Sequence, residues 1–336
     1  MTAEIAGLGW VTPLGIGLEE VWSRLASGEK PERKILRHPE LEREHAYYAV
    51  PPKAVEHCGR NPRLRRSSAI SYFAVAAGLA AMEHAGLKLT PEIAARTAVI
   101  FAISDGGVLY TRRFYEQLVK QGANTASPLL FPETVYNAPA SHLAALLGID
   151  GASYTLVGDS SVGLTALHFA SQLLALGSVD HCVVVGAEEC DWILCEAYRT
   201  WRLAQLPLAE GAAAVVLSRA GRWRVQTHPG QPFLRRKEAA AALDLVLEND
   251  AGRVDLVVAS AGGSFVDRLE AAVLHARHPK ARTFFPKHSL GEAPGASALI
   301  QTVFAALAVE KEPSDRALVS VIGFNHQANA AWISAK

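Results

Sequence analysis

Twenty-one residues, Tyr154–Leu174 (YTLVGDSSVGLTALHFASQLL), do most to restrict the folds open to this chain. Tyr154, Leu156 and Val157 suit a buried strand. Gly158, Asp159 and Ser160 turn the chain, and from Val162 onward Leu164, Leu167, Phe169, Leu173 and Leu174 fall at helical spacing. A strand that turns this tightly into a helix holds one short side chain at the helix N-terminus. Unpaired N–H groups and the positive end of the dipole favour negative charge there. A nucleophile, or the oxyanion of an acyl intermediate, suits that place, and Ser160 or Ser161 is then the reacting residue. Two serines that only cap the helix account for the local sequence as well.

Strand and helix signals alternate around this elbow. Ala3–Trp10 reads as a first strand, broken by the Gly7 and Gly9 pair, and Leu18–Ala26 as a short amphipathic helix. Ser67–Gly86 is an alanine-rich buried helix. Thr97–Ile103 (TAVIFAI) is a strand closed by Asp105-Gly106-Gly107, Val108–Gln121 a helix, and Ala140–Leu147 a short helix. His181–Ala187 and Gly211–Ser218 are further strands. After Arg219 the alternation restarts, with strands at Trp223–Thr227, Val254–Ser260, Ala317–Phe324 and Ala328–Ser334, and helices at Lys237–Glu248, Phe265–Ala276 and Ala296–Val309. The pattern predicts an α/β protein with buried sheets, divided into a first half, 1–218, and a shorter second half, 219–336, that repeats the element order. Pro31–Arg66 is polar and predicts a surface excursion over 31–66. Its Arg60, Arg63, Arg65 and Arg66 form either a solvated loop or a dock for an acidic partner.

Lysine plus arginine equals aspartate plus glutamate, 33 each, so nothing points to nucleic acid or an anionic membrane. Cys58, Cys182, Cys190 and Cys195 form no CxxC pair, which argues against zinc, and no cofactor motif is present. No stretch reads as a signal peptide or a bilayer span, and a reduced, cytoplasmic setting is the default expectation.

Longer motifs carry a resemblance. IAGLGWVTPLGIGLEEVWSRLASG, SDGGVLYTRRFYEQL, SPLLFPETVYNAPASHLAALLGIDGASYTL, LAEGAAAVVLS, LVVASAGGSFVDRLEAA, KHSLGEAPGASALIQTVFAAL and VIGFNHQANAAW follow in order along nearly the whole chain. Together they resemble a β-ketoacyl-acyl carrier protein synthase. The resemblance implies the thiolase-like fold, two similar α/β halves packed in five layers, usually dimeric through the first half.

Family condensing enzymes carry a cysteine nucleophile at the elbow and two histidines from the second half. Here Ser160 falls at the cysteine, and Asp255–Asp267 offers no first histidine, with Gly262 or a neighbour in its place. His288 in KHSLG is taken as the match to the second histidine, with Thr283 where the family has a lysine five residues earlier. Phe324 matches the gate residue whose backbone N–H, with that of the elbow residue, forms the oxyanion hole. His326 follows in the same turn and is a candidate substitute for the missing histidine. Glu210 matches a structural residue beside the site. Asp159, if it points inward, opposes an oxyanion.

A serine hydroxyl needs an adjacent base, so condensation by this chain alone is not expected. The turn Gly158-Asp159-Ser160 is similar to the glycine-glutamate-glutamine of chain length factors in type II polyketide systems, inactive partners of a true ketosynthase, with related partners in aryl polyene systems. The resemblance thus implies a degenerate site (Ser160, His288, His326, with Phe324) in a subunit of a fatty acid or polyketide system. Its partners would be an active ketosynthase in a heterodimer, or itself in a homodimer, and acyl carrier protein. The chain also looks shorter than a typical member, between Arg219 and Lys237 and after His288. The alternative is an acyltransferase or hydrolase using Ser160 with His288 or His326. A third reading is a scaffold without acyl chemistry.

Overall fold

The structure, a computed structural model, describes residues 1–249, 252–264, 266–312 and 314–336. Ten strands carry the architecture. The first five are β1 (Thr2–Val11), β2 (Thr97–Ile103), β3 (Ser153–Val157), β4 (His181–Glu188) and β5 (Gly211–Ser218). The second five are β6 (Trp223–Thr227), β7 (Leu256–Val258), β8 (Arg282–Phe284), β9 (Arg316–Ile322) and β10 (Gln327–Ala335). They lie in the order β8-β7-β9-β10-β6-β1-β5-β4-β2-β3, with the two-residue strand Gln231–Pro232 added to β10. Each set of five follows one rule: its third, second and fourth strands are parallel neighbours, then its fifth and first join antiparallel. The sets meet where β1 runs antiparallel to β6, Thr2 opposite Gln226.

Strands such as TAVIFAI and HCVVVGA are apolar on both faces because both faces are covered. Alternate side chains enter different cores. Ala98, Ile100 and Ala102 of β2 join a central core, while Val99, Phe101 and Ile103 join an outer one. In the second half Ala317, Val319 and Val321 of β9 face the centre, and Leu318 and Ile322 face a third core. The outer layers are helix α1 (Ala69–Ala85) on one side and α3 (Ala239–Leu247) and α4 (Asp267–Arg277) on the other. Between the sheet halves lie α2 (Val162–Ala175) and α5 (Pro294–Lys311). Every residue from Pro294 to Val309 is buried, as a helix apolar all round requires. Helices, sheet, helices, sheet and helices make the five layers.

The glycine pair does not break the first strand. β1 is continuous with one irregularity between Ile5 and Gly7, and backbone oxygens Ala81 O and Ala77 O of α1 lie where side chains at Gly7 and Gly9 would stand. Glycine here lets a helix approach the strand. The segment 31–66 is more ordered than a solvated loop. Arg33–Arg37 and Glu44–Tyr48 form a hairpin that pairs with Leu208–Ala209, and Val50, Ala54, Cys58 and Leu64 are buried. Arg60, Arg63, Arg65 and Arg66 stay exposed. A helix at Trp192–Trp201, absent from the sequence reading, is capped by the Asp191 carboxylate on Ile193 N–H at 3.1 Å. The helix expected from Phe265 is described from Asp267; residue 265 itself lies outside the described residues.

Candidate functional site

β3 delivers the elbow and α2 leaves it, and neither serine side chain caps the helix, whose N-cap residue is Ser161. The Asp159 carboxylate accepts from Ser161 N–H at 2.9 Å and Ser161 Oγ at 2.7 Å, an Asx turn at the helix start. Its other oxygen accepts from Asn325 N–H in the turn between β9 and β10. Asp159 therefore points across the elbow, fully buried, and a Cβ on Gly323 would fall inside its carboxylate.

Ser160 Oγ donates to Glu292 Oε1 at 3.1 Å. Lys287 Nζ donates to Glu292 Oε2 at 2.6 Å, and Ser297 Oγ to Oε1 at 3.0 Å, while Ser297 Oγ also accepts from Ala293 N–H. Ser160, Lys287 and Glu292 are each 4–5% exposed. Gly262 belongs to the same site, since a Cβ there would lie 3.0 Å from Glu292 Oε2 and 3.5 Å from Lys287 Cδ. The backbone of Glu292 is tied to the segment Pro207–Ala209 by Glu292 N–H to Pro207 O and Ala209 N–H to Glu292 O.

This geometry corrects the match made at His288. The side chain that meets Ser160 is Glu292, and the lysine five residues before it is Lys287, not Thr283, which is exposed on β8. Lys287 and His288 sit side by side in the helical turn Pro286–Leu290. One helical step is about 100°, so a lysine turned inward leaves the next residue outward. His288 is accordingly exposed, its ring stacked on Phe285 at 5.0 Å. His326 adopts a positive φ of 64° and stacks on Phe233 at 4.9 Å. Ser160 thus meets neither histidine, and the serine–histidine pair is not assembled. Phe324 lies edge-on to Tyr198 at 5.7 Å and packs with Cys190, Cys195 and Leu208. Lys287, Glu292 and Ser297 were missed by the sequence reading. The Lys-to-Glu spacing of five was the signal that could have found them.

Further carboxyls surround this centre. Glu188, at the end of β4, accepts from Gly295 N–H at 2.9 Å, at the start of α5, and from Ser104 and Asp105 N–H at 3.3 Å. Burial and the nearby Asp105 push its carboxyl well up. Burial also lifts Asp105 to about 6, against a hydrogen bond from Tyr198 OH at 3.1 Å. Glu210 accepts from Val50 N–H at 3.0 Å and is raised by burial to about 7. The cysteines are poor nucleophiles: burial pushes Cys182 and Cys195 to about 12 and Cys58 to about 11, and Cys190 well up. Among the described residues no three histidines, cysteines or acids are grouped to hold a metal ion, and no helix is long and apolar enough to cross a membrane.

The Ser160 hydroxyl is therefore tied to a carboxylate that already holds a lysine and a second hydroxyl. Such a carboxylate is a poor proton acceptor for serine, and it opposes negative charge developing on a nearby thioester.

A family model described as "Beta-ketoacyl synthase, N-terminal domain" matches residues 3–221. The 3-oxoacyl-[acyl-carrier-protein] synthase 2 of Vibrio cholerae is 26% identical over 187 residues. That match takes in 55% of this chain and 45% of the relative, so it spans about half the length of either. A putative polyketide β-ketoacyl synthase 2 of Streptomyces halstedii is 26% identical over 358 residues, 92% of this chain and 85% of the relative. A β-ketoacyl synthase structure from Burkholderia phymatum superposes with a TM-score of 0.86 at 17% identity, covering 100% of this chain and 99% of that one. A ketosynthase in complex with its chain length factor, from Xenorhabdus doucetiae, gives 0.77 at 15%, covering 100% and 98%. At these identities the structural likenesses speak for the fold.

Proposed function

Because the chain belongs to the β-ketoacyl synthase family, we propose that it is a chain-length-factor-type subunit that pairs with a separate condensing synthase and does not itself condense. The system would be one of fatty acid or polyketide synthesis, with an aryl polyene system among the candidates, and the growing chain would arrive on acyl carrier protein. The observation that carries this reading is the bond from Ser160 to Glu292. A family fold is kept, but its elbow holds a hydroxyl given to a lysine-paired carboxylate instead of a thiol served by imidazoles. Without an available base the hydroxyl does not attack a thioester, and with the Lys287 ammonium already paired to Glu292 the enolate of a decarboxylating malonyl unit is not stabilised.

The partner reading draws on the edge of the first half. β3 ends the sheet, and Tyr154 and Val157 on it are exposed. An uncovered edge carrying exposed apolar side chains suits pairing with a second sheet of the same kind.

The test is co-expression with a cysteine-bearing β-ketoacyl synthase and its acyl carrier protein. A one-to-one complex whose products need both chains, and do not change with Ser160→Ala, supports the reading. An acyl-sized mass gain on the isolated chain, lost in Ser160→Ala, would replace it with acyl transfer by Ser160.

A further inference from the structure

We propose that Asp159 is a latch that keeps the elbow closed, by holding the turn Gly323–His326 so that Phe324 stays in the wall beside Ser160. The inference rests on the reading of Ser160 as unacylated and supplies a device that keeps it so.

The turn joins β9 to β10 and is closed by Gly323 N–H to Gln327 O at 2.8 Å and His326 N–H to Gly323 O at 3.2 Å. Its link to the first half is the Asp159 carboxylate, which spans 166 residues of sequence to reach Asn325 N–H. Charge-assisted bonds of this kind, out of water, are the stronger class. The fit is close on both sides: Gly323 has no side chain, and any Cβ would collide with the carboxylate. Asp159 is also anchored from behind by both donors of Ser161, so it cannot follow the turn outward without giving up those two bonds.

The turn carries Phe324 into a cluster with Cys190, Cys195, Tyr198 and Leu208. Three of these, Cys195, Tyr198 and Leu208, also line a cavity of about 540 Å³ that includes His45, Arg202 and Gln205. The neighbours of Leu208 in sequence are the residues hydrogen-bonded to the backbone of Glu292, whose carboxylate holds Ser160. Phe324 thus packs on a layer of residues that lines the cavity at Cys195, Tyr198 and Leu208 and, beside Leu208, is hydrogen-bonded to the backbone of Glu292. Releasing the turn removes the group that keeps Phe324 on that layer and opens a path from the cavity to Ser160.

The reporter is Ser160→Cys in the full chain, treated with iodoacetamide and mapped by peptide mass. The native thiols Cys58 and Cys182, buried in cores that do not include Phe324, act as internal controls. With Asp159 present, position 160 should label slowly. Adding Asp159→Ala should raise the rate at position 160 at least tenfold, and Gly323→Ala, which drives a Cβ into the carboxylate, should do the same from the other side. Equal rates with and without Asp159 would overturn the latch. So would parallel labelling of Cys58 and Cys182, because the substitutions would then have loosened the whole fold. Neither outcome bears on partner binding, which the co-expression experiment reads separately.

Discussion

Replacing Lys287 by methionine tests the charge arrangement under the elbow. The Lys287 and Glu292 side chains are 5% and 6% exposed, with Nζ and Oε2 2.6 Å apart. At an effective dielectric of about 20, opposite charges at that distance attract by about 6 kcal/mol. Part of this returns through relaxation and partial hydration of the freed carboxylate, and breaking a buried pair on one side costs about 3–5 kcal/mol. Methionine keeps most of the lysine stem volume, so little of the loss is packing. Ser160 and Ser297 still donate to Glu292, but two hydroxyls do not neutralise it. Adding Glu292→Gln removes the unpaired charge and should recover all but about 1–2 kcal/mol. Urea midpoints at unchanged m-value measure both steps. A single-variant cost below about 1 kcal/mol, or a double variant no better than the single, would refute a tightly coupled buried pair.

The other predictions concern the acids, the elbow and the edge. Burial raises Glu270 and Glu210 to about 7 and Asp105 to about 6, so the folded state holds protons that the unfolded chain gives up near pH 4. Stability is then full below that value and falls as pH rises towards about 7; thermal melts across pH 4.5–8 should show the decline. Glu270→Gln should flatten it by up to about 3 kcal/mol. Ser160→Ala should cost no more than about 1 kcal/mol in the same melts, since Glu292 keeps Lys287 and Ser297. Val157→Asp on the open edge should leave the monomer's melting temperature within a few degrees but abolish the complex with the condensing partner in size-exclusion chromatography with light scattering.

Much of the scaffold was legible because its signals are local. TAVIFAI, GAAAVVLS and WRVQT become strands over the residues expected, and Val108–Gln121 a helix with the same ends. The site was harder to read for two reasons. Around KHSLG a histidine drew the eye by type, whereas helical phase decides which of two adjacent side chains turns inward, and it is Lys287. The direction of Asp159 could not be read at all, because the group that fixes it, Asn325 N–H, lies in the other half of the chain. Tyr154 and Val157 read as buried by residue type, but β3 is an edge strand and leaves both exposed.

The central seam of the sheet also sets the order in which the protein can assemble. β1 precedes the other nine strands in the chain, yet its neighbours are β5, where Val11 faces Ala212, and β6, where Thr2 faces Gln226. Both lie about 200 residues further along the chain. A nascent chain therefore carries β1 with two open edges until Gly211–Thr227 has emerged, a high-contact-order arrangement that is slow to close and prone to wrong pairing. Helix α1, already laid against Gly7 and Gly9, is what covers one face of that strand during the wait. Substitutions at those glycines should therefore harm the yield of soluble protein during synthesis more than they harm the stability of molecules already folded.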